Sequence, residues 1–189
     1  TYNYLLDPHT AVGYQALADN TTGAVNTAIG CRTGKNITTG TNNLTLGREA
    51  GTGGSPFNIT TQSHRIVLGD NNISNAYIRV AWTVTSDLRD KTEIENVPHG
   101  LAFVDKLKPV SFKFKKSRED DTPHGTKHYG FLAQDILELE GDNNVIIDNE
   151  QPEKLKYKGE HLVPVLVNAI KELKTQNEDL KSRIEALET

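Results

Sequence analysis

Apolar positions in the first part of the chain come in short steps at a fixed interval. Val12-Gly13, Ile29-Gly30 and Leu46-Gly47 recur every seventeen residues, preceded by Thr10-Ala11, Thr27-Ala28 and Leu44-Thr45. Thr22-Gly23 and Thr39-Gly40 keep the same register, as do Asn26 and Asn43, and Leu68-Gly69 is a fourth, longer-spaced member. Self-similarity at such a period predicts a solenoid in which each repeat is one coil that cannot bury its apolar face alone. The apolar steps are its strands. The Asn/Thr/Gly clusters are its turns, with glycine where the backbone needs positive φ.

Beyond the repeats the periodicity changes. Ala76 to Thr85 reads as a strand with Ile78, Val80, Trp82 and Val84 on one face. A short helix is expected over His99–Leu107, closed by Lys108-Pro109. Val110, Phe112 and Phe114 alternate with polar residues as a half-buried strand, and Arg118 to Thr126 reads as a polar loop. Tyr129–Leu132 is expected to be a strand leading into a helix over Ala133–Leu139, with two further strands at Val145–Ile147 and Leu155–Tyr157. From His161 the spacing alternates three and four through Val163, Leu166, Ile170, Leu173, Asn177, Leu180, Ile184 and Leu187. That is a heptad seam on a helix of about 161–188, with Pro164 tolerable in the first turn and Asn177 a polar core position that fixes register. The Val163–Leu173 half also suits a helix lying on its own domain. The more polar remainder favours a parallel bundle.

Composition sharpens this picture. Only 35% of the residues are hydrophobic, so a repeat region this polar is expected to borrow core from partner chains. A shared-core solenoid and a coiled coil both point to a homo-oligomer, most simply a trimer. The net charge of -4, with no long basic block, argues against a nucleic-acid binder. No apolar stretch has membrane-spanning length and no signal-peptide pattern is present, so no membrane insertion is expected. The chain begins at Thr1 without a methionine and is read as part of something longer. Cys31, the one cysteine, occupies the repeat position of Tyr14 and Arg48 and reads as a tolerated substitution. Asn-X-Thr triplets at Asn20, Asn36, Asn43 and Asn58 follow from the turn composition. Gly51–Pro56 has no lysine where a phosphate loop needs one. His124 and His128 lie in an expected loop without cysteine or carboxylate partners, so neither a metal nor a cofactor is expected.

The candidate chemistry sits where the repeats end, in Thr85-Ser86-Asp87-Leu88-Arg89-Asp90-Lys91. A serine hydroxyl is a weak nucleophile that needs a neighbouring base. A lysine serves only when neutral, which burial or another positive charge such as Arg89 favours. The nearest electrophile to Ser86 is the carbonyl of Thr85. The expectation is therefore self-cleavage at Thr85–Ser86, weakening as pH falls because a charged lysine cannot accept a proton. A solvated turn is the plainer reading of a serine and a lysine this close. The rise in charge density after Lys91 puts a domain boundary at Ser86, giving 1–85 and 86–189.

Two resemblances extend these readings. The repeats resemble those in the heads of trimeric bacterial adhesins and in phage tail-fibre stalks. Ser86–Lys91, Leu107-Lys108-Pro109-Val110-Ser111-Phe112, Gly130-Phe131-Leu132-Ala133-Gln134-Asp135, Tyr157 and Leu162–Leu173, in this order, resemble the intramolecular chaperone domain of endosialidases and other tail fibres and tailspikes. The same self-cleaving domain occurs in the myelin regulatory factor. The resemblance implies a β-rich repeat stalk (trimeric β-solenoid or β-roll-like), then a small α+β domain ending in a long helix that forms a trimeric coiled coil. It implies a single-turnover serine endopeptidase acting in cis on the upstream fibre, with Ser86 as nucleophile and Lys91 as base. Asp87 is assigned to orienting the turn or Lys91, and Arg89 to keeping Lys91 neutral. A virion location and a host surface receptor or glycan as further partner belong to the same reading. A non-cleaving structural or receptor-binding fibre tip is the alternative. A membrane-anchored regulator of the myelin factor type fits less well, since the repeats lie upstream and no DNA-binding segment is seen.

Overall fold

The computed structural model describes residues 8–142 and 144–188. They divide into two units, one reaching Tyr77 and including Lys113–Thr126, the other holding Ile78–Phe112 and the chain from Lys127 onward.

In the first unit, β1 (Thr10–Val12), β2 (Thr27–Ile29), β3 (Leu44–Leu46) and β4 (Ile66–Leu68) form one sheet in chain order. All are parallel, with Ala11 opposite Ala28, Ala28 opposite Thr45 and Thr45 opposite Val67. The repeat thus becomes a stack in which equivalent residues lie over one another. Side chains alternate along a strand, so the middle residues Ala28, Thr45 and Val67 point inward and are buried. The flanking Val12, Ile29, Ile66 and Leu68 face out and are exposed. The glycine after each strand is required by proximity. Gly30 has φ +137°, and a Cβ there would stand 2.7 Å from the carbonyl of Gly47.

The asparagines in register form a buried ladder. Asn26 Oδ1 accepts from the Asn43 backbone N–H at 2.9 Å, and Asn43 Oδ1 accepts from the Arg65 N–H at 2.9 Å. His9 stands in the same column and accepts from the Asn26 N–H through Nδ1 at 3.2 Å. Each amide satisfies a buried backbone donor that would otherwise be costly to leave unpaired. The last interval is 22 residues in place of 17. The turn Thr52–Phe57 takes up the extra length, with the buried Ser55 hydroxyl donating to the Thr52 and Phe57 carbonyls at 2.9 and 2.8 Å.

Within one chain this stack has an apolar interior of its own. Leu17, Ala28, Ile37, Ala50, Phe57, Ile59 and Val67 form a contiguous cluster, and small or hydrogen-bonded polar residues fill the rest. Cys31 is exposed.

The second unit is α+β. α1 (Leu101–Val104), β5 (Val110–Lys115), β6 (Pro123–Gly130), α2 (Ala133–Glu140), β7 (Ile147–Asp148), β8 (Lys156–Tyr157) and α3 (Leu162–Glu188) follow in order. β5 and β6 make one two-stranded sheet, and β7 pairs antiparallel with β8. Phe103, Ile136, Ile146, Ile147, Leu162 and Val165 form the core. Glu140 closes α2, its carboxylate accepting from the Val145, Ile146 and Ile147 backbone N–H groups at 2.7, 2.6 and 3.0 Å. These bonds satisfy the loop's donors inside the core.

Three expectations need correction. Ala76–Thr85 is not a strand. A strand needs a hydrogen-bonded neighbour, and this row has none among the described residues, so Val80 and Trp82 stand 72% and 76% exposed. The polar loop is shorter than expected because β6 begins at Pro123 and pairs with β5. The helix expected over His99–Leu107 is a single turn, Leu101–Val104.

α3 runs for 27 residues. The face on its own unit is Leu162, Val165 and Ala169, not the heptad seam. Val163, Leu166, Ile170, Leu173, Leu180, Ile184 and Leu187 are all substantially exposed. From Lys171 to Glu188 every residue is exposed, and beyond Glu172, whose carboxylate accepts from the Leu101 N–H, the helix is not covered by its own unit.

Candidate active site

Within the second unit, residues 86–91 are organised by one 3-10 turn, Leu88–Asp90. Asp87 starts it: its Oδ1 accepts from the Arg89 backbone N–H at 2.8 Å, the bond that favours aspartate at a helix N-cap. The same carboxylate takes the Arg89 guanidinium in a fork, with Nε on Oδ1 at 3.0 Å and Nη2 on Oδ2 at 2.7 Å. This pairing holds the Asp87 carboxyl below the usual carboxylate value and raises the Arg89 guanidinium. A depressed carboxyl contributes above its unfolded value and is lost only as pH falls through the folded one. The cap therefore stays in place through neutral pH.

The turn brings the ends of the motif together. Lys91 Nζ donates to Ser86 Oγ at 2.8 Å across five residues of sequence. That separation is the reach a general base needs, and the reverse arrangement, hydroxyl donating to a neutral amine, occupies the same geometry. Asp87 and Arg89 pair with each other, so the arginine's charge is directed at the carboxylate.

Around the turn nothing is covered. Every residue from Asn71 to Pro98 is exposed. Large apolar side chains are among them: Tyr77, Ile78, Val80, Trp82 and Val84 upstream, Leu88, Ile94 and Val97 downstream. A row this long and apolar is unusual for a monomer surface.

Residues 86–146 match the family described as chaperone of endosialidase, a peptidase family. The match supports a chaperone domain in the second half of the chain. It opens on Ser86 and takes in the turn, α1, the β5–β6 hairpin and α2, while α3 lies outside it. No curated protein and no solved structure matches the chain.

The other candidates are placed as follows. His124 Nε2 lies 3.2 Å from the Asn72 carbonyl, and the His128 ring stacks on Phe112 at 5.7 Å between centroids. Two side chains of α3 were given no role by sequence reasoning although both lie within the Leu162–Leu173 motif: Asn168 and Glu172. Asn168 Nδ2 donates to the Val97 and His99 carbonyls, each at 3.2 Å, and Glu172 Oε2 accepts from the Leu101 N–H at 2.9 Å.

Proposed function

We infer that this chain is the end of a phage tail fibre or tailspike whose second half is an intramolecular chaperone that cuts itself free at Thr85–Ser86. The observation that carries the reading is the Ser86–Lys91 hydrogen bond at the first residue of the chaperone-family match. In the proposed step a neutral Lys91 takes the Ser86 Oγ proton and Oγ attacks the Thr85 carbonyl carbon. The Thr85–Ser86 C–N bond then breaks, the Ser86 nitrogen takes up the proton from Lys91, and an ester links Thr85 to Oγ. Water hydrolyses that ester, leaving a Thr85 carboxylate and Ser86 as a free N-terminus. The balance needs one water and no cofactor.

A homotrimer is the assembly that suits this chemistry. Three surfaces lack cover in one chain: the outer face of the repeat sheet, the Tyr77–Leu88 row, and the heptad seam of α3. Coiled-coil pairing of α3 about Asn177 sets three chains parallel and in register. Register is the difficulty such a fibre faces. Thr10-Ala11-Val12 and Thr27-Ala28-Ile29 are so alike that neighbouring chains laid side by side can align one coil out. Holding the chains together at one end removes most of the entropy cost of aligning them. Burial of the junction by neighbouring copies would also favour the neutral lysine that the step requires. Cutting then removes the assembly aid, so the mature fibre persists by the height of its unfolding barrier.

The chaperone claim is tested by refolding. Denatured full-length chain, carrying Ser86→Ala so that it stays whole, is expected to recover an assembled repeat region on dilution. The 1–85 piece, denatured after release, is expected to remain unassembled or to aggregate. Equal recovery of the two, read by light scattering and circular dichroism, would remove the chaperone role and favour the non-cleaving fibre tip.

A further inference from the structure

We propose that Asn168 and Glu172 form a latch through which α3 positions the cleavage turn, so that assembly of the helices and cutting of the chain are coupled. The proposal rests on the self-cleavage reading and deepens it.

Downstream of Lys91 the chain is untethered. Residues 92–96 are exposed, and among the described residues the first hydrogen bond beyond the turn is the one made by the Val97 carbonyl. From there four residues are gripped in quick succession. Asn168 takes the Val97 and His99 carbonyls, and Glu172 takes the Leu101 N–H. Gly100, which starts α1, lies so close that a Cβ on it would run into the Glu172 carboxylate. Packing reinforces the grip: the His99 ring stacks on Phe103 with centroids 4.4 Å apart, and Phe103 is buried in the core beside Leu162 and Val165.

Both latch residues are polar, one helical turn apart, and lie on the side of α3 away from Val163 and Ile170. The helix therefore has three working faces. Leu162, Val165 and Ala169 hold it to its own unit, the seam faces outward, and the latch holds the junction strand. The Ser86–Lys91 contact is made within its own turn, and no latch residue touches it directly. What the latch supplies is place: it limits how far the turn can stray from the helix, and so presents it to whatever covers it when α3 is paired. Asn168 and Glu172 are positioning residues in this scheme, not catalytic ones.

The chemistry of the latch dictates the test. Glu172→Ala removes the acceptor for the Leu101 N–H, whereas Glu172→Gln keeps an oxygen there. Asn168→Asp removes the donor and sets a carboxylate against two carbonyls. Cleavage rates are measured on full-length chains whose oligomer mass and helix content equal those of the wild type. Glu172→Ala and Asn168→Asp are expected to cut about 10- to 100-fold more slowly, with Glu172→Gln near the wild-type rate. A wild-type rate in all three, or slowing only in proportion to lost assembly, overturns the latch. A second readout does not depend on cutting. In the Ser86→Ala background, Glu172→Ala is expected to speed hydrogen exchange at the Asp90 and Lys91 amides as well as at Leu101. Faster exchange at Leu101 alone overturns the coupling even if the wild type proves uncut. An uncut wild type with coupled exchange removes the cleavage reading and leaves the latch standing.

Discussion

Ile170→Asp combined with Leu180→Asp is expected to convert the assembled chain to a monomer, and the monomer is expected to stay whole. Both side chains lie on the uncovered seam of α3, at 65% and 52% exposure, so the single chain loses little by the change. Paired helices would bury them. Three carboxylates then meet at each level of the seam, and an unpaired charge taken out of water costs at least several kcal/mol. Two such levels outweigh what a short coiled coil gains. Light scattering reads the mass, and circular dichroism reads whether α3 survives: an isolated helix in water is marginal once its partners leave. If the variant is a monomer yet still cuts at Thr85–Ser86, assembly is not the trigger.

Lys91→Ala is expected to slow cutting by about 10²- to 10⁴-fold, the usual contribution of a positioned general base. The turn itself should persist, because its cap is Asp87 and its closing backbone bonds run from Asp90 to Asp87 and from Lys91 to Leu88. Lys91→Arg is the informative companion. Arginine keeps the charge and reach but stays protonated, so it is expected to be as slow as alanine. An arginine variant that cuts at the wild-type rate would mean that the group at 91 serves as a fixed donor to Ser86 Oγ, the direction of the bond seen here. Base catalysis also requires cutting to slow as pH is lowered. The Asp87–Arg89 fork remains formed over that range, so a fall in rate near neutral pH reports proton transfer and not loss of the turn.

Much of the fold is legible in the sequence because its strongest signals are local. The seventeen-residue interval dictates which residues stack, and the sheet register follows it from Thr10 over Thr27 to Leu44. α2 and α3 begin and end within a residue or so of the positions that their apolar periodicity and punctuation indicate. Ser86 and Lys91 could be brought together on paper because a single turn spans them. What periodicity does not carry is the partner of each face. The alternation from Ile78 to Val84 has the form of a strand, yet alternation says nothing of whether a neighbouring edge exists in the same chain. The seam of α3 likewise reads as one apolar stripe, while the contacts divide it from the stripe of Leu162, Val165 and Ala169 that holds the helix down. Asn168 and Glu172 were invisible for a related reason. Their hydrogen bonds span about seventy residues of sequence, and a polar residue on a helix face gives no sign of which distant backbone it will meet.

The most direct test of the account is the intact mass of the purified wild-type chain beside Ser86→Ala, both kept under native conditions. The account predicts two wild-type fragments that divide between Thr85 and Ser86, the second beginning with a free serine amine, and a single uncut Ser86→Ala chain of the same oligomeric state. A wild-type chain that remains whole while fully assembled would contradict it, and the second half would then be a clamp that holds fibre chains together without cutting them.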